Sequence, residues 1–473
     1  MSTSMMASNS KIEDKKVAVS AIEAVMARIR QNQCAPAVFW QGKEYSYAEL
    51  LEMVGAWAER LPAYSIGRGT VCGVLGDYSP QTFALFLALM EAKAILVPFS
   101  YPAEPEMRNF LPLAGVQRLF RFDSEDHWTL ETLAETPRNE LVHSFLERES
   151  PGLIVFTSGS TGKPKGILHD CERVMRKFME ERPGWRTVLF LMMDHFGGFN
   201  TLLSTFAYGG VGICLAERTP EVVCRTIQQS RATLLPTTPT FLNLLLASRS
   251  YTQFDLSSVT LITYGTEVMP EVTLQRVKTI FPNAQIKQTY GLSELGVLRS
   301  KSESDDSVWV KIGGQGFEVK VVDNVLWVRS EANMVGYLNA PNPFDQDGWM
   351  CTGDQVEVRG EYMRILGRES EVINVGGQKV FPVEVETVLL QDENISEATV
   401  FGAKHPLMGQ VVHARVSLQR PEDAEAVTER LRRLCLSRLA RYKMPVRFLI
   451  VTDEVQSGAR FKKLRRGLDD GRC

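Results

Sequence analysis

The feature that most constrains the fold is an alternation of short apolar runs with helical stretches. Residues 71–75 and 94–98 read as buried strands flanking a helix over 80–92. Apolar or β-prone runs recur at 187–192, 211–215, 233–235, 259–264 and 285–288, separated by helical patterns. This rhythm predicts an α/β fold, with parallel sheets covered by helices. Near the start, residues 17–29 have helical periodicity, 39–45 read as a hairpin, and Ser46-Tyr47-Ala48-Glu49 as a capping box opening the next helix.

The chain has 473 residues, beyond the ~250–300 at which single cores stop growing, so two or three domains are expected. From Gly313 the pattern changes to short strands with Gly, Asn and Asp turns, at 317–323, 325–328, 355–358 and 362–366, as in a small β-barrel or meander. After Arg368 comes a compact α+β segment outlined by 384–390, 398–401, 411–418, 424–439 and 447–452. The expected organisation is a lead-in over 1–16, a large domain over 17–368 and a small mobile domain over 369–473.

Composition narrows the function classes. Apolar residues make up 44% and charged residues 23%, and the net charge is −3, so nothing global argues for nucleic acid or an anionic membrane as partner. The eight cysteines form no CxxC pair, which suits free thiols in a reducing cytoplasm and offers no zinc framework. Residues 1–16 are polar, without the apolar core of an export signal, and read as disordered. The most apolar segment, 83–99, contains Glu91 and Lys93. It reads as a buried helix running into a strand, because a membrane span needs ~20 apolar residues. A cytoplasmic protein is expected, and a homodimer is left open.

The run from Phe156 through Thr157, Ser158, Gly159, Ser160, Thr161, Gly162, Lys163, Pro164 and Lys165 to Gly166 follows an apolar strand, Leu153-Ile154-Val155. Glycines let backbone N–H groups approach an anion, and hydroxyl and ammonium groups add donors, so the tract predicts a polyphosphate-cradling loop. It is not a Walker A loop. Only two residues separate Gly159 from Gly162, and Pro164 stands where Ser or Thr would follow the lysine.

This loop resembles that of the adenylate-forming superfamily: acyl- and aryl-CoA synthetases, peptide-synthetase adenylation domains and luciferase. Further motifs in the same order extend the resemblance over residues 46–466. The resemblance implies that His195, with Phe196, Gly197 and Gly198, lines the acyl pocket near the reacting carboxylate, joined by Gly265 and Gly296. In Tyr264-Gly265-Thr266-Glu267, the loop Gly265–Glu267 would pack one side of adenine. In Gln288-Thr289-Tyr290-Gly291-Leu292-Ser293-Glu294, Tyr290 would stack on adenine, Thr289, Gly291 and Ser293 would contact the nucleotide, and Glu294 would hold Mg²⁺ bridging phosphates. Asp354 would bind both ribose hydroxyls, with Arg368 beside it. Ser370 matches the hinge, and Gly376 and Gly377 the face presented to the thiol. The C-terminal catalytic lysine is matched to Lys462, in Phe461-Lys462-Lys463-Leu464-Arg465. That choice keeps the Lys-x-x-Arg spacing and loses the usual preceding glycine; Lys463 is the runner-up.

The implied reaction is ATP-dependent activation of a fatty or aromatic carboxylic acid as acyl-adenylate, then transfer to a phosphopantetheine thiol. The acceptor is CoA or an acyl carrier protein. A third reading is a protein that binds acyl-adenylate without making it. Amino-acid activation is disfavoured, because such members carry Asp one residue after the pocket aromatic, where this chain has Phe196.

Overall fold

The computed structural model describes residues 20–134, 136–157, 164–452, 463 and 465. The lead-in expected over residues 1–16 lies outside them.

The interior is built on two helices that are apolar nearly all round. In Pro80–Glu91 every side chain from Thr82 to Met90 is buried, and Ser79 caps the helix by accepting from the Thr82 N–H. Phe196–Ala207 packs beside it, with Phe83 meeting Phe206 at 5.3 Å and Phe86 meeting Phe199 at 6.0 Å. A helix with so narrow a polar face has to be covered on most sides. These two are sandwiched between seven-stranded sheets, and one core joins them to strands of both.

The first sheet runs, in spatial order, Gln285–Gln288, Leu261–Tyr264, Leu234–Thr237, Arg186–Val188, Val211–Ile213, Pro36–Trp40 and Lys43–Ser46. All its pairings are parallel except the last. The second runs Gly336–Tyr337, Lys165–Asp170, Gly152–Thr157, Ile95–Phe99, Val71–Leu75, Arg118–Phe122 and Trp128–Thr132. Its centre is parallel and both flanks antiparallel. The expectation of parallel sheets is thus refined: where consecutive strands are joined by connections too short for a crossover helix, the pairing is antiparallel, and Gly336–Tyr337 adds a further antiparallel edge from far along the chain. At Gln41-Gly42, for instance, two residues with φ of 49° and 78° close a hairpin.

Outer helices cover the far faces of both sheets, so the two sheets and their helices stack in layers. The expected barrel is a six-stranded antiparallel sheet running from Ser300–Ser302 to Phe317–Val322, with Met350–Arg359 and Tyr362–Arg368 at its middle. Beyond a single turn at Glu369–Glu371, which contains Ser370, a separate five-stranded sheet carries the helices Pro382–Leu389 and Ala424–Arg438. No helix among the described residues is long and apolar enough to cross a membrane.

Candidate active site

The glycine-rich tract is a hairpin connection. It joins Gly152–Thr157 to Lys165–Asp170, which pair antiparallel with Thr157 opposite Lys165. Ser158, Gly159, Ser160, Thr161, Gly162 and Lys163 lie outside the described residues. Asn339 holds the base of this connection, accepting from the Gly166 N–H at 3.1 Å and donating to the Pro164 carbonyl at 2.9 Å. The Lys165 ammonium sits 4.7 Å from the centroid of the Tyr337 ring, and the Tyr337 hydroxyl donates to Glu294 Oε1 at 2.7 Å. Tyr337 reaches this position because Gly336–Tyr337 pairs with the second strand of the hairpin, Tyr337 opposite Ile167. Strand register therefore places one aromatic ring between a lysine of the loop and the carboxylate of Glu294. Burial and the neighbouring Glu294 push the Tyr337 phenol far above its usual range, so it stays a donor.

Two strand ends of the first sheet meet the hairpin region from the other side. Tyr264 and Gln288 are paired at the carboxyl ends of adjacent parallel strands, where open α/β sheets bind ligands. Thr289 ties the two following loops together, its N–H and hydroxyl both donating to the Tyr264 carbonyl, at 2.7 and 3.0 Å. A Cβ on Gly265 would lie 2.6 Å from the Thr289 hydroxyl. This glycine is therefore required by loop-against-loop packing. Thr266 is exposed with φ of 70°. In Glu267, Oε2 accepts from the Thr240 N–H and hydroxyl, and Oε1 from the Lys463 N–H at 2.7 Å. Both of its oxygens have protein donors.

Tyr290 is buried in the core of the barrel sheet, and its hydroxyl donates to Asp354 Oδ2. Only 7% of the residue is exposed, so any stacking has to use the margin of the ring. Asp354 and Arg368 are opposed on neighbouring strands, with Arg368 Nε 3.4 Å from Asp354 Oδ1. Burial raises the Asp354 carboxyl above the usual carboxylate range, while Arg368 and the Tyr290 hydroxyl pull it back. Gly291 opens the short strand Gly291–Leu292 and is exposed, and Ser293, partly exposed, falls in the tight turn that leads to Gly296–Val297.

His195 is the residue immediately before the buried helix Phe196–Ala207. Two of its expected pocket companions are tightly packed. Phe196 is 2% exposed, its ring 4.5 Å from that of His169, and a Cβ on Gly198 would lie 2.0 Å from the Met192 carbonyl oxygen. Gly197 is partly exposed, and a Cβ on Gly296 would meet Phe196 and Ala332. Burial pulls His169 down to about 3, so it is a neutral ring beneath this region.

The small sheet domain meets this cleft through a buried polar network. Asn243 accepts from Thr273 at 2.7 Å and donates to Glu397 at 3.1 Å. The Lys463 ammonium lies 3.0 Å from both Glu397 and Glu386 and donates to the Ala398 carbonyl at 2.8 Å. Arg465 also pairs with Glu386. Burial raises Glu386, but Arg465 and Lys463 outweigh it and hold the carboxyl down to about 2. With all three of its protons engaged and 5% of its side chain exposed, Lys463 is held within the small domain's own ionic network. Lys462 lies outside the described residues. Gly376 and Gly377, with φ of 55° and 87°, form the exposed turn between Ile373–Val375 and Gln378–Val380.

A divalent cation fits one position. Among the described residues no group of three His, Cys, Asp or Glu side chains could hold a metal. Glu294 is partly exposed, one oxygen accepts from Tyr337, and the other has no partner among the described residues. One carboxylate with phosphate oxygens is a donor set that suits Mg²⁺.

The model of the AMP-binding enzyme family matches residues 27–338, and that of the AMP-binding enzyme C-terminal domain matches 384–462. The chain is 24% identical to 2-succinylbenzoate–CoA ligase of Bacillus subtilis, over 92% of this chain and 95% of the relative. It is 27% identical to indoleacetate–CoA ligase of Aromatoleum aromaticum (86% and 90%), and 26% identical to a medium/long-chain-fatty-acid–[acyl-carrier-protein] ligase of Mycobacterium tuberculosis (87% and 88%). A solved anthranilate CoA ligase in complex with anthranoyl-AMP has the same fold, with a TM-score of 0.79 at 20% identity over 94% of this chain and 95% of that one.

Proposed function

Since the chain belongs to the AMP-binding enzyme family, we propose that it activates a fatty or aromatic carboxylic acid with ATP and passes the acyl group to a phosphopantetheine thiol. A carboxylate oxygen attacks the α-phosphorus of ATP, the bond to pyrophosphate breaks, and acyl-adenylate forms. The thiolate then attacks the acyl carbonyl, and the bond to AMP breaks to leave a thioester. No covalent enzyme intermediate is needed, so positioning and charge neutralisation carry the catalysis.

The observation that carries this reading is the run from Lys165 through Tyr337 to Glu294 at the mouth of the hairpin. It brings a cation and a carboxylate to one place, as a polyphosphate with its counter-cation requires. Mg²⁺ held by Glu294 would offset phosphate charge. Tyr337 would fix the carboxylate, Lys165 and the hydroxyls of the loop would bind phosphate oxygens, and Thr266 and Tyr290 would flank adenine. Asp354 and Arg368 would hold the ribose, and His195 would face the acid. Lys462 is the proposed adenylation lysine, with Ser370 as hinge and Gly376-Gly377 toward the thiol. The seven described cysteines are all free, in keeping with a reducing, cytoplasmic setting.

A panel of alkyl and aryl carboxylic acids, with pyrophosphate release as readout, tests the first half. CoA against acyl carrier protein as acceptor then decides the second. Acid-dependent release followed by thioester formation is expected, and no release with any acid would contradict the reading.

Asp354→Asn keeps an acceptor oxygen for Tyr290 but loses the charge. It is expected to raise KM for ATP about tenfold or more, since hydrogen bonds to charged groups are worth about 1.5–3 kcal/mol each. Asp354→Ala should in addition destabilise the free protein by about 1–3 kcal/mol, because the buried Tyr290 hydroxyl loses its acceptor. An unchanged KM in both variants would place Asp354 outside the nucleotide site.

A further inference from the structure

Lys177 turns its charge inward. Lysines on a protein surface ordinarily bury the stem and keep the ammonium in water. Here the residue, partly exposed, borders an open cavity of about 1500 Å³ together with Glu172, Glu180, Arg173, Arg176 and Arg299. Its ammonium nevertheless donates to Asn200 Oδ1 and, at 3.2 Å, to the Val297 carbonyl. Neither acceptor carries charge. Among the described residues Lys177 has no carboxylate partner, and the groups that act on it electrostatically are Arg299 and Arg182. Those two guanidiniums share one carboxylate, Glu180, at 2.7 and 3.1 Å. Lys287, half-buried on the Gln285–Gln288 strand, also feels Arg182. Lys177 and Lys287 thus both lie within reach of guanidiniums, and the one carboxylate of the group is already shared by two arginines. Burial and the two arginines pull Lys177 down to about 7, the response of an ammonium held without a counter-ion.

The position of this cluster gives it a meaning. Asn200 follows His195 by five residues on the buried helix, about 7–8 Å along the axis at 1.5 Å per residue. That helix keeps a partly exposed stripe of Gly197, Asn200, Thr201 and Ser204, at the spacing of one helical face. Val297 follows Glu294 by three residues and ends the turn opposite. The two segments that carry the reacting end of the site, His195 and Glu294, therefore both lead to the Lys177 ammonium.

We infer that the acid activated by this enzyme carries a second anionic group, a carboxylate or its equivalent, at the end remote from the reacting carboxyl, and that Lys177 binds that group. This rests on the function proposed above. An incoming anion would supply the counter-charge that the protein withholds. A purely hydrocarbon acyl chain would leave the ammonium with neutral acceptors and the Phe178 ring as its partners.

The test uses two non-reactive acyl-adenylate mimics, the sulfamoyl adenosines of para-carboxyphenylpropanoic acid and of para-tolylpropanoic acid, titrated calorimetrically into the full-length protein. The expected result is binding of the carboxyl compound about 10- to 100-fold tighter, the range for one hydrogen bond to a charged group. In Lys177→Met that ratio should fall to about one with the affinity for the tolyl compound kept, and Lys177→Arg should retain most of the preference. Equal affinity of the two compounds for the wild-type protein overturns the inference, as does a preference that survives in Lys177→Met. The wild-type comparison needs no variant, so a Lys177→Met chain that fails to fold does not shelter the idea. Tight but equal binding, with pyrophosphate released from simple acids, would sink this inference alone. Binding of neither compound, with no acid releasing pyrophosphate, would sink the proposed function and this inference with it.

Discussion

Replacing Glu294 with Gln is expected to lower acid-dependent pyrophosphate release by about 100-fold or more, the scale seen when a preorganised charge at a reacting centre is removed. The fold should be unaffected. Glu294 is partly exposed, and its carboxylate has one protein partner among the described residues, the Tyr337 hydroxyl, which an amide oxygen can still accept. The loss should persist at saturating Mg²⁺ and appear in the chemical step. Tyr337→Phe removes only the hydrogen bond that orients the carboxylate and should cost about tenfold, at the lower end of the ~1.5–3 kcal/mol of a hydrogen bond to a charged group. Near-normal turnover of Glu294→Gln with Mg²⁺ in excess would remove this residue from the reaction.

The second large effect separates two adjacent lysines. Lys463→Met takes the ammonium out from between Glu386 and Glu397, leaving two buried carboxylates with Arg465 as the remaining cation at Glu386. Removing one partner from a buried ionic cluster costs about 3–5 kcal/mol, so the small domain should melt well before the rest in a calorimetric scan. Lys462→Ala should leave the melting profile intact and suppress acyl-adenylate formation far more than thioester formation from supplied acyl-adenylate. The small domain is proposed to rotate between the half-reactions, so one side chain cannot serve both. An unchanged melting profile for Lys463→Met, or equal loss of both half-reactions in Lys462→Ala, would contradict the assignment.

Acid should act on the same cluster. Glu386 titrates at about 2 in the folded protein and near 4.5 when unpaired. Between those values the unfolded chain binds more protons, so stability rises with pH. The contribution of Glu386 is complete above about pH 4.5 and is lost as the pH falls toward 2. Burial pushes Glu397 the opposite way and offsets part of that slope. The melting temperature of the small domain should therefore fall below pH 4.5, and this dependence should flatten in Glu386→Gln.

The layered α/β core was legible because its periods are local. The strands at 71–75 and 285–288 fall where hydrophobic pattern alone puts them, as does the capping box at Ser46–Glu49. Short motifs also marked which loops gather at the site. What stayed hidden was pairing across distance. Asn339 holds the base of a hairpin 173 and 175 residues away, and no local pattern announces it. Tyr337 reaches Glu294 only through strand register, and Glu267 takes the tail of the small domain because a cleft closes there. Phe196 and Gly198 were read from a motif, which carries no sign of how closely a helix sandwiched between two sheets packs them against their neighbours. Lys177 carries no signal in sequence at all, since a lysine in a basic stretch reads as surface until its acceptors are known.

The most direct test of the central claim follows one oxygen atom. An acid from the panel, labelled with ¹⁸O in its carboxyl group, is incubated with ATP, Mg²⁺ and the acceptor thiol, and the nucleotide product is analysed by mass spectrometry. Attack of the carboxylate on the α-phosphorus, followed by thiolysis at the acyl carbon, places one labelled oxygen in AMP, with pyrophosphate released in equal amount. ADP and inorganic phosphate as products, or AMP without label, would contradict the account.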